Sequence, residues 1–230
     1  MSEVIVSSPQ PEVIQITLNR PEKRNALNHA LIDAFLDALE GIENKGIVLI
    51  LEGAGSSFCS GADLTELSSG VMEKVGKLLV ALATIPIPSI AYVHGHVAAG
   101  GVGLAAAVDL AVANDDATFF LPELEKGIAP LFVEVLLRKI LSERHFKEMA
   151  FAGFKVTAKR ALEMGLVNSI GKESLQPMIQ GLLKCDPKAF QRFKSHLNSY
   201  RHLEIEFSEA LKVQTQLIKS TAMPFAPNHS

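Results

Sequence analysis

Two stretches of the chain place glycine where a backbone could do chemistry: SSFCSGADL, residues 56–64, and HGHVAAGGVGLAAAVDL, residues 94–110. Each follows a short apolar run of the kind that forms a buried strand. Glycines at a strand-to-helix turn let backbone N–H groups face outward with no Cβ in the way, and a helix N-terminus adds a partial positive field. Two such donors converging on one point form an oxyanion hole. Either stretch alone reads as an ordinary tight turn, and it is the pair that suggests a site.

Neither stretch offers an obvious nucleophile. Ser60 lacks the GxSxG surroundings of a nucleophile elbow. Cys59 reads as a small buried residue, and His94 and His96 as hydrogen-bonded structural histidines. Asp63 reads as a turn carboxylate that bonds nearby backbone N–H groups.

The elements that would hold these turns are legible as a strand and helix alternation. Residues 13–18 alternate as a half-buried strand, NRPEKRNAL follows as a charged loop, and Asn28 caps a helix expected to run to about Glu43. GIVLILEG is a strand buried on both faces. VMEKVGKLLVALATI reads as an amphipathic helix, PIPSIAYVHG as a strand opened by prolines, and AAGGVGLAAAV as a helix of small residues. DLAVAND and ATFFLPE are two further short strands, which together argue for a layered α/β domain. From Leu131 onward almost everything is helix-compatible, with Thr157 as a cap, Gly165 as a stop, a long amphipathic segment over about 187–219 and a tail expected to fray.

Composition narrows the function classes. The 230 residues are 48% hydrophobic, enough for a full core, and 22 Lys+Arg against 25 Asp+Glu give a net charge of -3. No basic excess points to nucleic acid or an anionic membrane surface. Cys59 and Cys185 are too far apart for a CxxC pair and indicate neither a disulfide framework nor a zinc site. The N-terminus lacks the charged and apolar regions of a signal peptide, and the longest apolar run is too short to cross a bilayer. A cytoplasmic protein without metal is expected.

The first strand with NRPEKRNALN, then GAGSSFCSGADL, then HGHVAAGGVGLAAAVDLAVANDDATFFLPELEKGIAP, and finally AKRALEMGLVNSI resemble, in order and spacing, the crotonase superfamily of enoyl-CoA hydratases and isomerases. The resemblance spans about Val4 to Thr221. It implies an α/β superhelix of ββα turns over residues 1–185, a C-terminal helical trimerisation region over 186–230, and acyl-CoA thioesters as substrates. Coenzyme A would arrive with the substrate, with no cofactor held by the protein. An acyl carrier protein is the alternative bearer of the acyl group, and a homotrimer or dimer of trimers is the implied assembly.

The resemblance also assigns residues. The N–H groups of Ala62 and Gly100 would hold the thioester oxygen, and Ser60, Gly61, Ala62, Asp63 and Leu64 would line the path of the CoA moiety. Lys23 or Arg24 would meet CoA phosphate. Ala98, Ala99, Leu131 and Phe132 would shape the acyl pocket. Hydratases of the family use two glutamates. Here the first of those positions falls on Gly103, and the second on Glu123. Hydration needs one group to activate water and another to deliver a proton, whereas one carboxylate suffices to move a proton along a conjugated enolate. The pattern therefore resembles the single-glutamate isomerases, with Glu123 as the shuttle. Glu125 competes if the strand continues past Glu123. Other superfamily reactions (hydration, decarboxylation, thioester hydrolysis) and a catalytically silent acyl-CoA or acyl-carrier binding protein remain the alternatives.

Overall fold

The computed structural model describes residues 2–42, 47–201 and 203–220. The main sheet contains β1 (Val4–Gln10), β2 (Val13–Leu18), β3 (Val48–Gly53), β5 (Ser89–Val93), β7 (Leu110–Ala113) and β10 (Ser169–Ile170), in that spatial order. The β1 to β2 pair is antiparallel and every later neighbour is parallel. A second sheet is built from shorter strands, β4 (Ser57–Cys59), β6 (His96–Ala98), β8 (Thr118–Phe120) and β9 (Val156–Thr157).

Successive strands alternate between the two sheets and are followed by a helix. β3 and β4 lead to α2 (Val71–Thr84), β5 and β6 to α3 (Gly100–Ala107), and β7 and β8 to α4 (Leu131–Leu137). This is the superhelix of ββα turns. β4, β6 and β8 lie side by side and parallel, with Cys59 opposite Val97 and Ala98 opposite Phe120. Their C-terminal ends therefore open on one edge. Parallel strands place ligand sites at that edge, because the loops that leave it converge.

Local chemistry explains most of the elements. Asn28 accepts a hydrogen bond from Leu31 N and starts α1 (His29–Glu40), whose Leu31, Ile32, Phe35 and Leu39 are buried. The helix stops earlier than the expected Glu43, because Gly41, a poor helix former, closes it; Glu43 itself lies outside the described residues. Thr157 caps α6 (Ala158–Met164) and Gly165 ends it in the left-handed conformation.

The expectation that almost everything after Leu131 is helix-compatible has two short exceptions. β9 and β10 fall within that region, each two residues long, added to the edges of the two sheets by pairing with Thr118 and Phe119 and with Val112 and Ala113. Strands that short carry no readable periodicity. The remaining helices are α5 (Glu143–Ala150), α7 (Leu175–Leu182), α8 (Pro187–Arg201) and α9 (Leu203–Ser220), the last two falling within the amphipathic segment expected over about 187–219. The tail expected to fray lies outside the described residues. α8 is tied to the core by Lys194, buried, whose Nζ donates to Asp109 Oδ2 at 2.6 Å and to the Ile87 carbonyl at 3.0 Å. α9 packs on α2 and α4.

Candidate active site

The ends of β4, β6 and β8 carry Ala62, Gly100 and Glu123, and all three line one cleft. Among the described residues, neither Ala62 N–H nor Gly100 N–H donates a hydrogen bond to the protein. Two free donors on one cleft are what an oxyanion hole would need.

Close backbone packing positions both donors. Leu27 N donates to Gly61 O at 2.8 Å and Asp63 N to Leu27 O at 2.9 Å, so the Ala62 peptide is held from both sides while its own N–H stays free. Gly61 has φ +89°, and a Cβ on it would stand 2.7 Å from Ala99 Cβ and 3.0 Å from Gly100 N. Only glycine lets the two donor segments touch. Ala99 has φ 49° and ψ -119°, a left-handed conformation that costs an alanine on the order of 1–3 kcal/mol. That strained residue directly precedes the Gly100 N–H and the N-terminus of α3. Its own N–H donates to Phe120 O at 3.1 Å, which locks the turn to β8.

A hub beneath the site went unnoticed in the sequence. Asn25 is fully buried; its Nδ2 donates to the carbonyls of Ala54, Ser57 and Phe58 at 2.8–3.0 Å, and its Oδ1 accepts from Arg20 N at 2.8 Å. One side chain thus ties the charged loop to β4 and to the turn before it. Its φ of 54° is a local signal of Asn in a left-handed turn, but the sequence does not show that it is buried.

Glu123 is the carboxylate of the cleft. It is 8% exposed, and its Oε2 is buried without a hydrogen-bond partner among the described residues. Burial pushes its pKa up to about 7, opposed by its own backbone N–H and by the positive charge of Lys126. The group is therefore poised to take and give a proton near neutral pH. The backbone supports it: Glu123 O accepts from Lys126 N at 3.0 Å and from Ile128 N at 2.8 Å, closing a 3-10 turn over Leu124–Lys126. That turn also removes the competitor. The strand ends at Phe120, so Glu125 is not carried to the same side; it is exposed and leans toward Gly153, where an added Cβ would meet its Oε1 at 2.9 Å.

A side chain at Gly103 would crowd the aliphatic core. A Cβ there would stand 3.2 and 3.3 Å from the two Leu79 methyls and 3.5 Å from a Val133 methyl. The place of a second carboxylate is filled by aliphatic core. Among the described residues that line the cleft, Glu123 is the one acid.

The other sequence-predicted residues divide into two groups. Ser60, Leu64, Ala99, Leu131 and Phe132 line the cleft, joined by Lys126, Met72 and Val75, which the sequence did not single out. Gly61 lies just behind the donors, and Ala98 is buried within β6 rather than on the cleft surface. Lys23 and Arg24 are exposed next to Ser60, whose N–H donates to Arg24 O at 3.0 Å. Asp63 faces away into its own network. Its carboxylate accepts from Thr65 N at 3.1 Å, Thr65 Oγ1 at 2.6 Å and Arg20 Nη1 at 2.7 Å, and these bonds hold its pKa down to about 2. Cys59 is fully buried, and burial pushes its thiol up to about 12, so it is inert. His94 bonds the Gly55 carbonyl, and His96 packs edge-on against Phe120.

Known proteins share this sequence and fold. The family model described as enoyl-CoA hydratase/isomerase matches residues 9–224. The bacillaene synthase dehydratase PksH of Bacillus subtilis is 31% identical over 84% of this chain and 80% of its own. Its crystal structure superimposes with a TM-score of 0.86 at 29% identity, covering 93% of this chain and 91% of that one. The 2,3-dehydroadipyl-CoA hydratase of Escherichia coli is 31% identical over 90% of this chain and 86% of its own. A monofunctional enoyl CoA isomerase from M. smegmatis matches with a TM-score of 0.77 and 28% identity, over 87% of this chain and 94% of that one. With its ββα superhelix and this match along nearly its whole length, the chain belongs to the enoyl-CoA hydratase/isomerase family of the crotonase superfamily.

Proposed function

We propose that the protein is an enoyl-CoA isomerase that converts 3-enoyl-CoA to 2-trans-enoyl-CoA. The observation that carries this reading is that Glu123 is the one acidic side chain among the described residues lining the cleft. Ionised Glu123 removes a proton from the carbon next to the thioester. The electrons move onto the thioester oxygen, which the Ala62 and Gly100 N–H groups hold as an enolate. Protonated Glu123 then returns the proton two carbons further along, and the double bond ends conjugated with the carbonyl. A raised carboxyl pKa suits both halves of this cycle.

The acyl group rides on coenzyme A, with an acyl carrier protein as the alternative bearer, and the protein supplies no cofactor of its own. Lys23 or Arg24 at the rim meets the CoA phosphates, and Ser60 and Leu64 border its path. The protein works in the cytoplasm as a homotrimer or dimer of trimers. Apolar Phe193, Leu197, Ile205 and Val213 are exposed on α8 and α9, which supports a role for these helices in assembly.

Hydration or dehydration is the second reading, favoured by relatives that carry those activities in their names. A panel of acyl-CoA substrates followed by mass separates the two. Isomerisation of 3-enoyl-CoA leaves the mass unchanged, whereas hydration of a 2-enoyl-CoA adds one water; the second result without the first would overturn the proposal.

A further inference from the structure

Phe132, near the start of α4, is the wall between two cavities. It lines both the cleft of Glu123 and a groove between α2 and α9 that opens to the surface. The cleft leaves about 50 Å³ of free space. A water-sized group takes on the order of 10–15 Å³, so this is the space of a few such groups. The space behind the ring is larger, about 360 Å³. Val80, Ala81, Phe207 and Leu211 make it apolar, and Glu73 and Lys77, paired at 2.9 Å and exposed, lie at its rim.

Two contacts hold the ring in place. Phe207 of α9 stacks on it with centroids 6.0 Å apart and an interplanar angle of 10°. Gly76 of α2 lets the ring edge come close, since a Cβ there would stand 3.3 Å from Phe132 Cε1. The ring is buried, clamped between two helices, and separates a tight reacting space from an unused apolar one.

We propose that Phe132 sets the chain-length limit: with the ring in place the enzyme accepts short acyl groups, and removing it joins the cavities and admits medium chains. This rests on the acyl-CoA reading but not on the isomerase reaction. The test uses two saturated, unreactive probes, butyryl-CoA and decanoyl-CoA, bound to the wild-type protein and to Phe132→Ala and Phe132→Leu in calorimetric titrations, with thermal melts to establish folding.

Each buried methylene strengthens binding about fourfold, so the freed cavity has a readable effect. Wild type is expected to bind butyryl-CoA in preference. Phe132→Ala should bind decanoyl-CoA about tenfold or more tighter than wild type does, and Phe132→Leu should shift the same way by less. If the alanine variant does not fold, the leucine variant carries the comparison. Equal wild-type affinity for the two probes, or an unchanged affinity ratio in the folded variants, overturns the gate. Failure of wild type to bind either probe overturns the acyl-CoA reading beneath it. A shifted ratio in a protein that does not isomerise leaves the gate standing and removes only the isomerase assignment.

Discussion

The wall of the cleft that carries Ala62 and Gly100 presents backbone, whereas the wall after β8 presents the one acidic side chain among the described lining residues, and different forces stabilise the two. The backbone wall is over-determined. Gly61 touches Ala99, the Leu27 bridge holds the Ala62 peptide, and Asn25 ties the supporting loops, so the strain at Ala99 is held by its surroundings. The Glu123 wall has a buried carboxylate with one oxygen unpartnered, which destabilises the charged form. Rigidity is concentrated around the two backbone donors, and instability at the buried carboxylate. Catalytic donors gain from preorganisation, and a proton shuttle gains from a pKa near the working pH.

The largest effect should come from breaking the side-chain wall. Glu123→Gln keeps the shape and removes the base, so turnover should fall by about 10³–10⁴-fold, within or near the range for a lost general acid–base group. Affinity for a saturated acyl-CoA should stay within a few fold, as read by titration.

Breaking the backbone wall comes next. Ala62→Pro removes one donor without touching the Leu27 bridge, which uses the neighbouring Gly61 carbonyl and Asp63 N–H. A loss of about 10²–10³ in kcat is expected from one oxyanion donor. A loss below threefold in a folded variant would separate Ala62 from the chemistry.

The stability cost of Glu123 can be measured without substrate. Its folded pKa is raised from 4.5 to about 7, so the folded state binds more protons than the unfolded state between these values. Stability from this group is fully present below about pH 4.5 and is lost as pH rises through about 7. Glu123→Gln should therefore gain on wild type by about 2–3 kcal/mol between pH 4.5 and pH 9, measured by urea unfolding. A pH-independent difference would contradict the burial argument.

The smallest effect tests the closed position on the backbone wall. Gly103→Glu must displace Leu79 and Val133, so it should lower stability by about 1–3 kcal/mol and yield no hydratase activity. Gain of hydration by this variant would show that a single missing carboxylate, and not the packing around it, separates the two reactions here.

Much of this was legible in the sequence, because periodicity and caps are local. The buried β3, the Asn28 and Thr157 caps, the Gly165 stop and the glycine turns all carry their signal within a few residues. The second sheet was harder to read. Its strands are only two or three residues long, and their parallel alignment, which brings residues 62, 100 and 123 together, comes from pairing across more than twenty residues of chain. Glu123 was found through its resemblance to a family position; its burial and raised pKa come from Pro122, Ile128 and the apolar cleft around it, none of which is visible one residue at a time. Asn25 reads as a loop residue, because its role depends on the carbonyls of distant backbone at Ala54, Ser57 and Phe58.

The central claim is that one carboxylate moves one proton between two carbons of the substrate. It is tested most directly by incubating 3-enoyl-CoA in heavy water with wild type and with Glu123→Gln, and following the product by mass and by NMR. Wild type should give 2-trans-enoyl-CoA, with no added water and with solvent deuterium entering only as fast as the shuttle exchanges, and the variant should give no product. Double-bond migration catalysed by Glu123→Gln at a rate near wild type would contradict it.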